Sequence, residues 1–285
     1  MKKIFIFYIS LLLISTLVVS LLWNSHTKEN IQNLNTENDT TSNITVVSGY
    51  WKVKGKYNHD SYNEWFKNSL SINQRYIFFC DEKDIDYIKS FRNDYETEYI
   101  VHSADDFHSA KYATDDWMHF SNSPTKELSM IWHEKIHLMK MAKDYDDQQK
   151  KTTEFYVWID SAIAPYRDKM PPSVRLNLRD MNSLPHDKIC YSGIFINNDL
   201  MLDGSTSDRD IFSAGCIIIH NSMIDSVHEL YYKSLEECNM NNVESGYCGQ
   251  EQHILTDMKD KYPDLFHKMS SGWGANLEVL YDKHV

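Results

Sequence analysis

The chain has 285 residues, with 29 basic and 41 acidic side chains and a net charge of −12. That length fits one or two domains with a sizeable core, and the acidic balance speaks against a dedicated nucleic-acid binder or a protein held on anionic lipid by charge alone. An aromatic content of 13%, with seven Trp and eighteen Tyr, rules out a disordered chain and fits a large core or a ring-lined cleft.

Ile4 to Trp23 carries no charge. At about 1.5 Å per residue it matches a bilayer core of about 30 Å. Lys2 and Lys3 precede it and the next basic residue is Lys28, so residues 1–3 are expected in the cytosol and the rest across the membrane, the layout of a type II signal anchor over 4–23. A cleaved signal peptide is the rival, although Leu21, Leu22 and Trp23 extend the apolar run past any small-residue cleavage site. Residues 24–43 are polar and rich in Asn, Thr and Ser, a flexible stem. Asn38-Asp39-Thr40 and Asn43-Ile44-Thr45 are glycosylation sequons at its end.

Residues 44–285 read as one α/β domain. Ile44 to Tyr50 is a β-branched strand. Tyr62 to Leu70 has helical spacing, Arg75 to Cys80 is a buried strand closed by Asp81, Glu82 to Phe91 is helical, and Glu98 to His102 is a third strand. Lys126 to Lys143 is the longest predicted helix, with Leu128, Ile131, Trp132, Met139 and Ala142 on one stripe. Phe155 to Asp160 is a buried strand, Ala214 to His220 another, and Met223 to Cys238 and Cys248 to Lys261 are helical. Apolar strands alternating with helices predict a mostly parallel sheet covered on both faces, with ligands at the carboxyl ends of the strands. No internal repeat, GxGxxG or Walker loop is present. Cys80, Cys190, Cys216, Cys238 and Cys248 have no metal-binding spacing. Cys238 and Cys248 could bridge in an oxidising compartment, and the odd count leaves one thiol over.

Four motifs carry candidate chemistry. His133-Glu134-Lys135-Ile136-His137 matches H-E-x-x-H, in which two His one turn apart bind zinc and the Glu activates water, with Glu154 a downstream ligand candidate. The metzincin extension fails, because positions 140 and 143 are Lys. Against zinc stands a plain helix with two His and an ion-pairing Glu. Phe155 to Asp160 delivers one carboxylate to a strand end, where a divalent ion could neutralise a diphosphate leaving group, although such an Asp can equally cap a turn. In Gly249-Gln250-Glu251-Gln252 a carboxylate between amides could act as a general base or bind sugar hydroxyls, or could simply favour a helix N-terminus. Ser48-Gly49-Tyr50-Trp51-Lys52, followed by Lys54 and Lys56, offers rings for a base and cations for phosphates.

In order and spacing these segments resemble the HtrL/YibB family, the WlaTC/HtrL glycosyltransferases. The likeness runs from about Val46 to the C-terminus. It rests on VSGYW (47–51), Tyr62-x-x-Trp65-Phe66 followed by IFFCD (77–81), IWHEK (131–135), FYVWID (155–160), AGC (214–216) and GQEQ (249–252). The resemblance implies a GT-A-like nucleotide-sugar fold and sugar transfer. It implies catalytic roles for Asp160 and Glu251. It implies donor contacts from Tyr50, Trp51, Asp81, Lys135, Trp158, Gly215, Gln250 and Gln252: base stacking by Tyr50 or Trp51, Asp81 near the nucleoside, Lys135 on the donor phosphates, Gln250 to Gln252 on the acceptor side. It also implies a divalent metal, Mn or Mg, on Asp160. Ser161-Ala162 follows, so no second Asp completes a D-x-D pair, and His267 and His284 are the candidates for a C-terminal metal His.

The expected function is a membrane-anchored glycosyltransferase moving a sugar from a nucleotide-diphosphate donor to a glycan or glycolipid acceptor, with its domain luminal or extracytoplasmic. A membrane-anchored zinc protease built on 133–137 and a catalytically silent sugar-binding protein of the same fold are the competing readings.

Overall fold

The computed structural model describes residues 44–54, 58–119, 125–176, 183–201, 205–241 and 246–281. The anchor segment, the stem with its first sequon, Asn43 of the second sequon, and His284 lie outside the described residues. Among the described residues no helix is long and apolar enough to cross a membrane.

Seven strands form one mixed sheet: β1 (Ile44–Tyr50), β2 (Tyr76–Cys80), β3 (Thr97–Val101), β4 (Phe155–Ile159), β5 (Ile189–Leu200), β6 (Thr206–His220) and β7 (Phe266–Ser271), in the order β3-β2-β1-β4-β6-β5-β7. β1 pairs parallel with β2 and β4, β2 with β3, and β5 with β7, while β6 runs antiparallel to β4 and β5. The helices are α1 (His59–Ser69), α2 (Ile85–Arg92), α3 (Lys126–Gln148), α4 (Ile224–Met240), α5 (Glu251–Lys261) and the short α6 (Asn276–Val279).

The continuous apolar strands follow from burial on both faces. Side chains alternate across a strand. Val47, Ile77, Phe79, Tyr156, Trp158, Ile217 and Ile219 face the layer of α3, α4 and α5. Ile44, Val46, Phe78, Cys80, Phe155, Val157, Ile159 and Ile218 face the layer that holds Phe66 of α1 and Ile88 of α2. α1 starts at Asn58, whose side chain accepts from Ser61 N, and α3 at Thr125, which accepts from Leu128 N.

The inner end of α3 is fixed by a buried ion pair. Arg75 donates from Nη1 and Nη2 to the two Asp146 oxygens at 2.9 and 2.6 Å. Thr153 and Tyr156 also donate to Asp146 Oδ2, at 2.7 and 3.2 Å. A disulfide joins Cys238, at the end of α4, to Cys248, in the turn before α5. Cys80, Cys190 and Cys216 are free and buried.

The structure corrects several sequence-derived elements. Ala214 to His220 is the inner half of a strand that begins at Thr206. β5 and β7 are absent from the sequence reading: the inner half of β5 is buried but its outer half is partly exposed and bulged, and β7 is a largely exposed edge strand. α5 starts at Glu251, because residues Tyr247–Gly249 form a separate 3-10 turn.

Asp146→Ala leaves the Arg75 guanidinium without its buried partner, and such a deletion costs about 3–5 kcal/mol. The expected outcome is a melting temperature lower by roughly 10 °C, read by thermal denaturation.

Candidate functional site

β1 lies between β2, which follows it in sequence, and β4, so the strand order reverses at the β1–β4 boundary. Ligands in open α/β sheets bind outside the carboxyl ends of strands at such a switch point. A cavity of about 510 Å³ opens there, lined from the end of β1 by Gly49, Tyr50 and Trp51, from the end of β4 by Trp158 and Asp160, and from α3 by Trp132 and Lys135. Gly215 of β6, Gln250, Glu251 and Gln252 at the start of α5, Arg167, Trp273 and Gly274 complete much of the wall.

Lys135 forms the floor. It is 3% exposed, and its Nζ lies 2.8 Å from Glu251 Oε1, 2.9 Å from Asp160 Oδ1 and 3.1 Å from the Ala214 carbonyl. Three donors meet three acceptors, so the ammonium is fully committed. Burial opposes its charge, but the carboxylates of Asp160 and Glu251 outweigh burial and hold its pKa above that of an ordinary lysine. Trp158 Nε1 donates to Asp160 Oδ1 at 2.8 Å. Asp160 N donates to Gly215 O at 2.9 Å, and a Cβ on Gly215 would stand 3.5 Å from Asp160 Oδ2. Glycine at 215 thus keeps the second carboxylate oxygen clear. The Asp160 side chain is 40% exposed and that of Glu251 only 7%. Gln250 Nε2 is buried without a hydrogen-bond partner in the folded chain. A ligand oxygen would satisfy it and recover about 1–3 kcal/mol of desolvation.

The structure brings nine of the ten sequence-predicted site residues to this cavity: Tyr50, Trp51, Lys135, Trp158, Asp160, Gly215, Gln250, Glu251 and Gln252. Asp81 does not line it; that carboxylate ends β2 and pairs with Lys83 Nζ at 3.1 Å. Base stacking by Tyr50 or Trp51 is also corrected. The Tyr50 ring is 7% exposed and packs edge-on against Phe66. Trp51 is 4% exposed, folds back over Gly49, packs edge-on against Phe107 and donates Nε1 to the His102 carbonyl. Trp273, 52% exposed, is the open ring of the wall. Sequence reasoning missed it because it follows the unread edge strand β7. Arg167 sits after a Pro-containing turn with no motif signal. Trp132 was legible, since it lies one turn before Lys135 on α3.

The residues around Asp160 do not fit a divalent ion. Its Oδ1 already meets Lys135 and Trp158, Ser161 supplies no second carboxylate, and Glu251 leans on the same ammonium. Neither group of metal-ligating side chains among the described residues includes Asp160 or Glu251. His267, on β7, is exposed and away from the cavity.

The HEKIH segment does not assemble as a zinc-protease site. His133 is fully buried, with Nδ1 2.6 Å from the Tyr231 hydroxyl. Glu134 accepts from the backbone N of His108 at 2.9 Å and of Ser109 at 2.8 Å, so its carboxylate ties a loop to α3. His137 turns away toward His228, with 2.9 Å between Nδ1 and Nε2. Glu154 belongs to a separate group with His186 and His220.

Two predictions follow from these charges. Lys135→Met leaves two carboxylates facing each other at the floor and costs about 3–5 kcal/mol, and adding Glu251→Gln recovers part of it in a double-mutant cycle. Burial pushes His133 down to about 3 and His137 and His228 down to about 4. An unfolded histidine titrates near ~6.5, so the unfolded chain binds more protons below that pH. Their contribution to stability is present above ~6.5 and is lost as pH falls toward the folded values. The melting temperature should fall between pH 7 and pH 5, less steeply in His133→Gln.

No family model matches this chain, and no curated protein matches it. Among solved structures it is similar to the apo crystal structure of mouse xyloside xylosyltransferase 1, at 12% identity over 79% of this chain and 84% of that chain, with a TM-score of 0.48.

Proposed function

We propose that the chain is a GT-A-like glycosyltransferase that moves a sugar from a nucleotide-diphosphate donor to a hydroxyl of a glycan or glycolipid. The observation that carries this reading is the cavity at the β1–β4 switch point, with two carboxylates held on one buried ammonium at its floor. The ordered motifs that resemble the HtrL/YibB glycosyltransferases support it. In the same reading, residues 4–23 anchor the domain and 24–43 form its stem, and the Cys238–Cys248 disulfide suits an oxidising compartment.

Each carboxylate has one oxygen on Lys135, and the other can accept from a sugar hydroxyl. Asp160 is the open one, so we assign it the proton of the attacking acceptor hydroxyl and give Glu251 the orientation of donor hydroxyls. This exchanges the proton-accepting role between the two residues relative to the sequence expectation. The acceptor oxygen attacks the anomeric carbon as the bond to the diphosphate breaks, and the acceptor proton passes to Asp160. We assign to Arg167, in the cavity wall with its Nε on the Ala162 carbonyl at 2.9 Å and its guanidinium over the Trp65 ring, the charge that develops on the diphosphate. Trp273 offers its ring face to the base, and Gln250 its unpartnered donor to a donor oxygen. Lys135 acts as a positioning residue that sets the distance between the two carboxylates.

The test is a donor screen on the full chain: thermal stability against UDP, GDP, CMP and their sugars, followed by transfer assays with the stabilising donor. A donor that binds only the folded state raises the melting temperature by mass action. Asp160→Asn should lower kcat by about 10²–10⁴-fold with the fold intact, the range for loss of a general base. Glu251→Gln should act more strongly on the donor KM. Full turnover in Asp160→Asn would remove the assigned role, and donor binding without any turnover would make the protein a sugar-nucleotide binder.

A further inference from the structure

On the side of α3 away from Lys135, three histidines meet. His137 of α3 and His228 of α4 face each other across the helix pair, with 2.9 Å between Nδ1 and Nε2. His108, in the turn His108–Lys111, stacks on His137 at 4.5 Å between ring centroids and lies 5.3 Å from His228. One ligand nitrogen from each residue lies within 4.8 Å of the others, and all three are half-buried. The catalytic reading above makes no use of them.

We propose that His108, His137 and His228 form a transition-metal site, selective for an ion such as Zn²⁺, that clamps α3, α4 and the 108–111 turn together. Imidazole suits Zn²⁺ and its later first-row neighbours, whereas Mg²⁺ and Ca²⁺ want oxygen ligands. A tetrahedral zinc with Zn–N bonds of about 2.05 Å holds its nitrogens about 3.3 Å apart. The His137–His228 pair therefore opens by roughly 0.4 Å to admit the ion. Each ring binds as neutral imidazole through one lone pair. The proton shared between His137 Nδ1 and His228 Nε2 moves to the far nitrogen of its ring, so no proton need leave the protein. Three protein ligands leave the fourth position to water.

The surroundings prepare the site. Glu134 fixes the His108 turn on α3 through the backbone N of His108 and Ser109, at 2.9 and 2.8 Å. Tyr232 packs against His108 and His228, with ring centroids at 4.5 and 4.8 Å, and its hydroxyl donates to the His133 carbonyl at 2.9 Å. Burial lowers the pKa of all three imidazoles, which favours the neutral form that a metal needs. Two cations stand nearby. Lys140 is neutralised by Asp144 and Asp225, each at 3.0 Å. Lys111 Nζ lies 3.2 Å from His108 Nδ1 and is exposed, so it can swing away as the ion enters. The group of Glu154, His186 and His220 is a poorer host: His186 is exposed, and His220 Nδ1 already meets Ser222 Oγ at 2.8 Å.

The experiment is Zn²⁺ titration of the chelator-treated full chain by calorimetry, with Co²⁺ visible absorption to report nitrogen ligation in a four-coordinate site. The expected result is one tight equivalent and a higher melting temperature with Zn²⁺. His228→Ala and His108→Gln should each weaken that equivalent by at least 10–100-fold, while Lys111→Ala tightens it and His186→Ala leaves it unchanged. His108 sits on a half-buried surface turn, so His108→Gln keeps the test decisive if His228→Ala fails to fold. No tight equivalent, one that survives His108→Gln, or one lost in His186→Ala would overturn the proposal. None of these outcomes depends on sugar transfer, so the site stands or falls separately from the proposed activity.

Discussion

A buried ammonium held by two carboxylates is the constraint around which the cavity is built. Taking Lys135 out of water carries a desolvation cost of several kcal/mol, which only well-placed partners offset. Asp160 comes from the end of β4, Glu251 from the first turn of α5 and the Ala214 carbonyl from β6, so one cation fixes α3, the two strands and α5 relative to one another. Moving any of these elements would strand a charge. The same geometry explains why no metal ion is needed to hold these carboxylates near each other: the lysine already does it.

The C-terminal end of α3 obeys the same logic with the charges reversed. There the helix contributes the carboxylate, Asp146, and the sheet contributes the cation, Arg75 of the segment leading into β2. Thr153 and Tyr156 complete the Asp146 shell from the β4 side. A helix of 23 residues is thus pinned by ionic contacts at its middle, through Lys135, and near its C-terminus, through Asp146, with Ile136, Leu138, Met139 and Ala142 filling the interval.

Much of this was legible in the sequence. Strands buried on both faces read clearly as apolar runs, and the polar residues that follow Tyr50 and Ile159 mark the carboxyl ends where a ligand would sit. The Cys238–Cys248 bridge is one of the alternatives the sequence leaves open. What escaped was what burial pattern does not encode. The outer half of β5 and most of β7 are partly or fully exposed, so their pairing depends on neighbouring strands and not on their own periodicity. Tyr50 and Trp51 offered the ring chemistry expected of a base platform, yet the core claims both rings, because a strand end at the edge of a large cavity still has a packed side. HEKIH misled for a related reason. Helical spacing places His133 and His137 near one face, but the first is drawn into the Tyr231 layer and the second toward α4, and a motif does not specify which neighbours compete for its side chains.

The cavity wall also has a consequence for how the protein comes into being. Gly49 and Tyr50 end the first described strand, with Trp51 just after it, and Trp273 and Gly274 belong to the segment after the last one, where Gly274 N donates to Ser213 Oγ at 3.0 Å. Some 220 residues separate the two sides of one pocket, and a ribosome takes roughly 10–45 s to make that many. A nascent chain can lay down β1, β2 and β4 early, yet it has no closed pocket until the final turns emerge. Loss of the chain from residue 273 onward would remove both the last wall of the site and the buried Leu277, Leu280 and Tyr281 that close the core behind it.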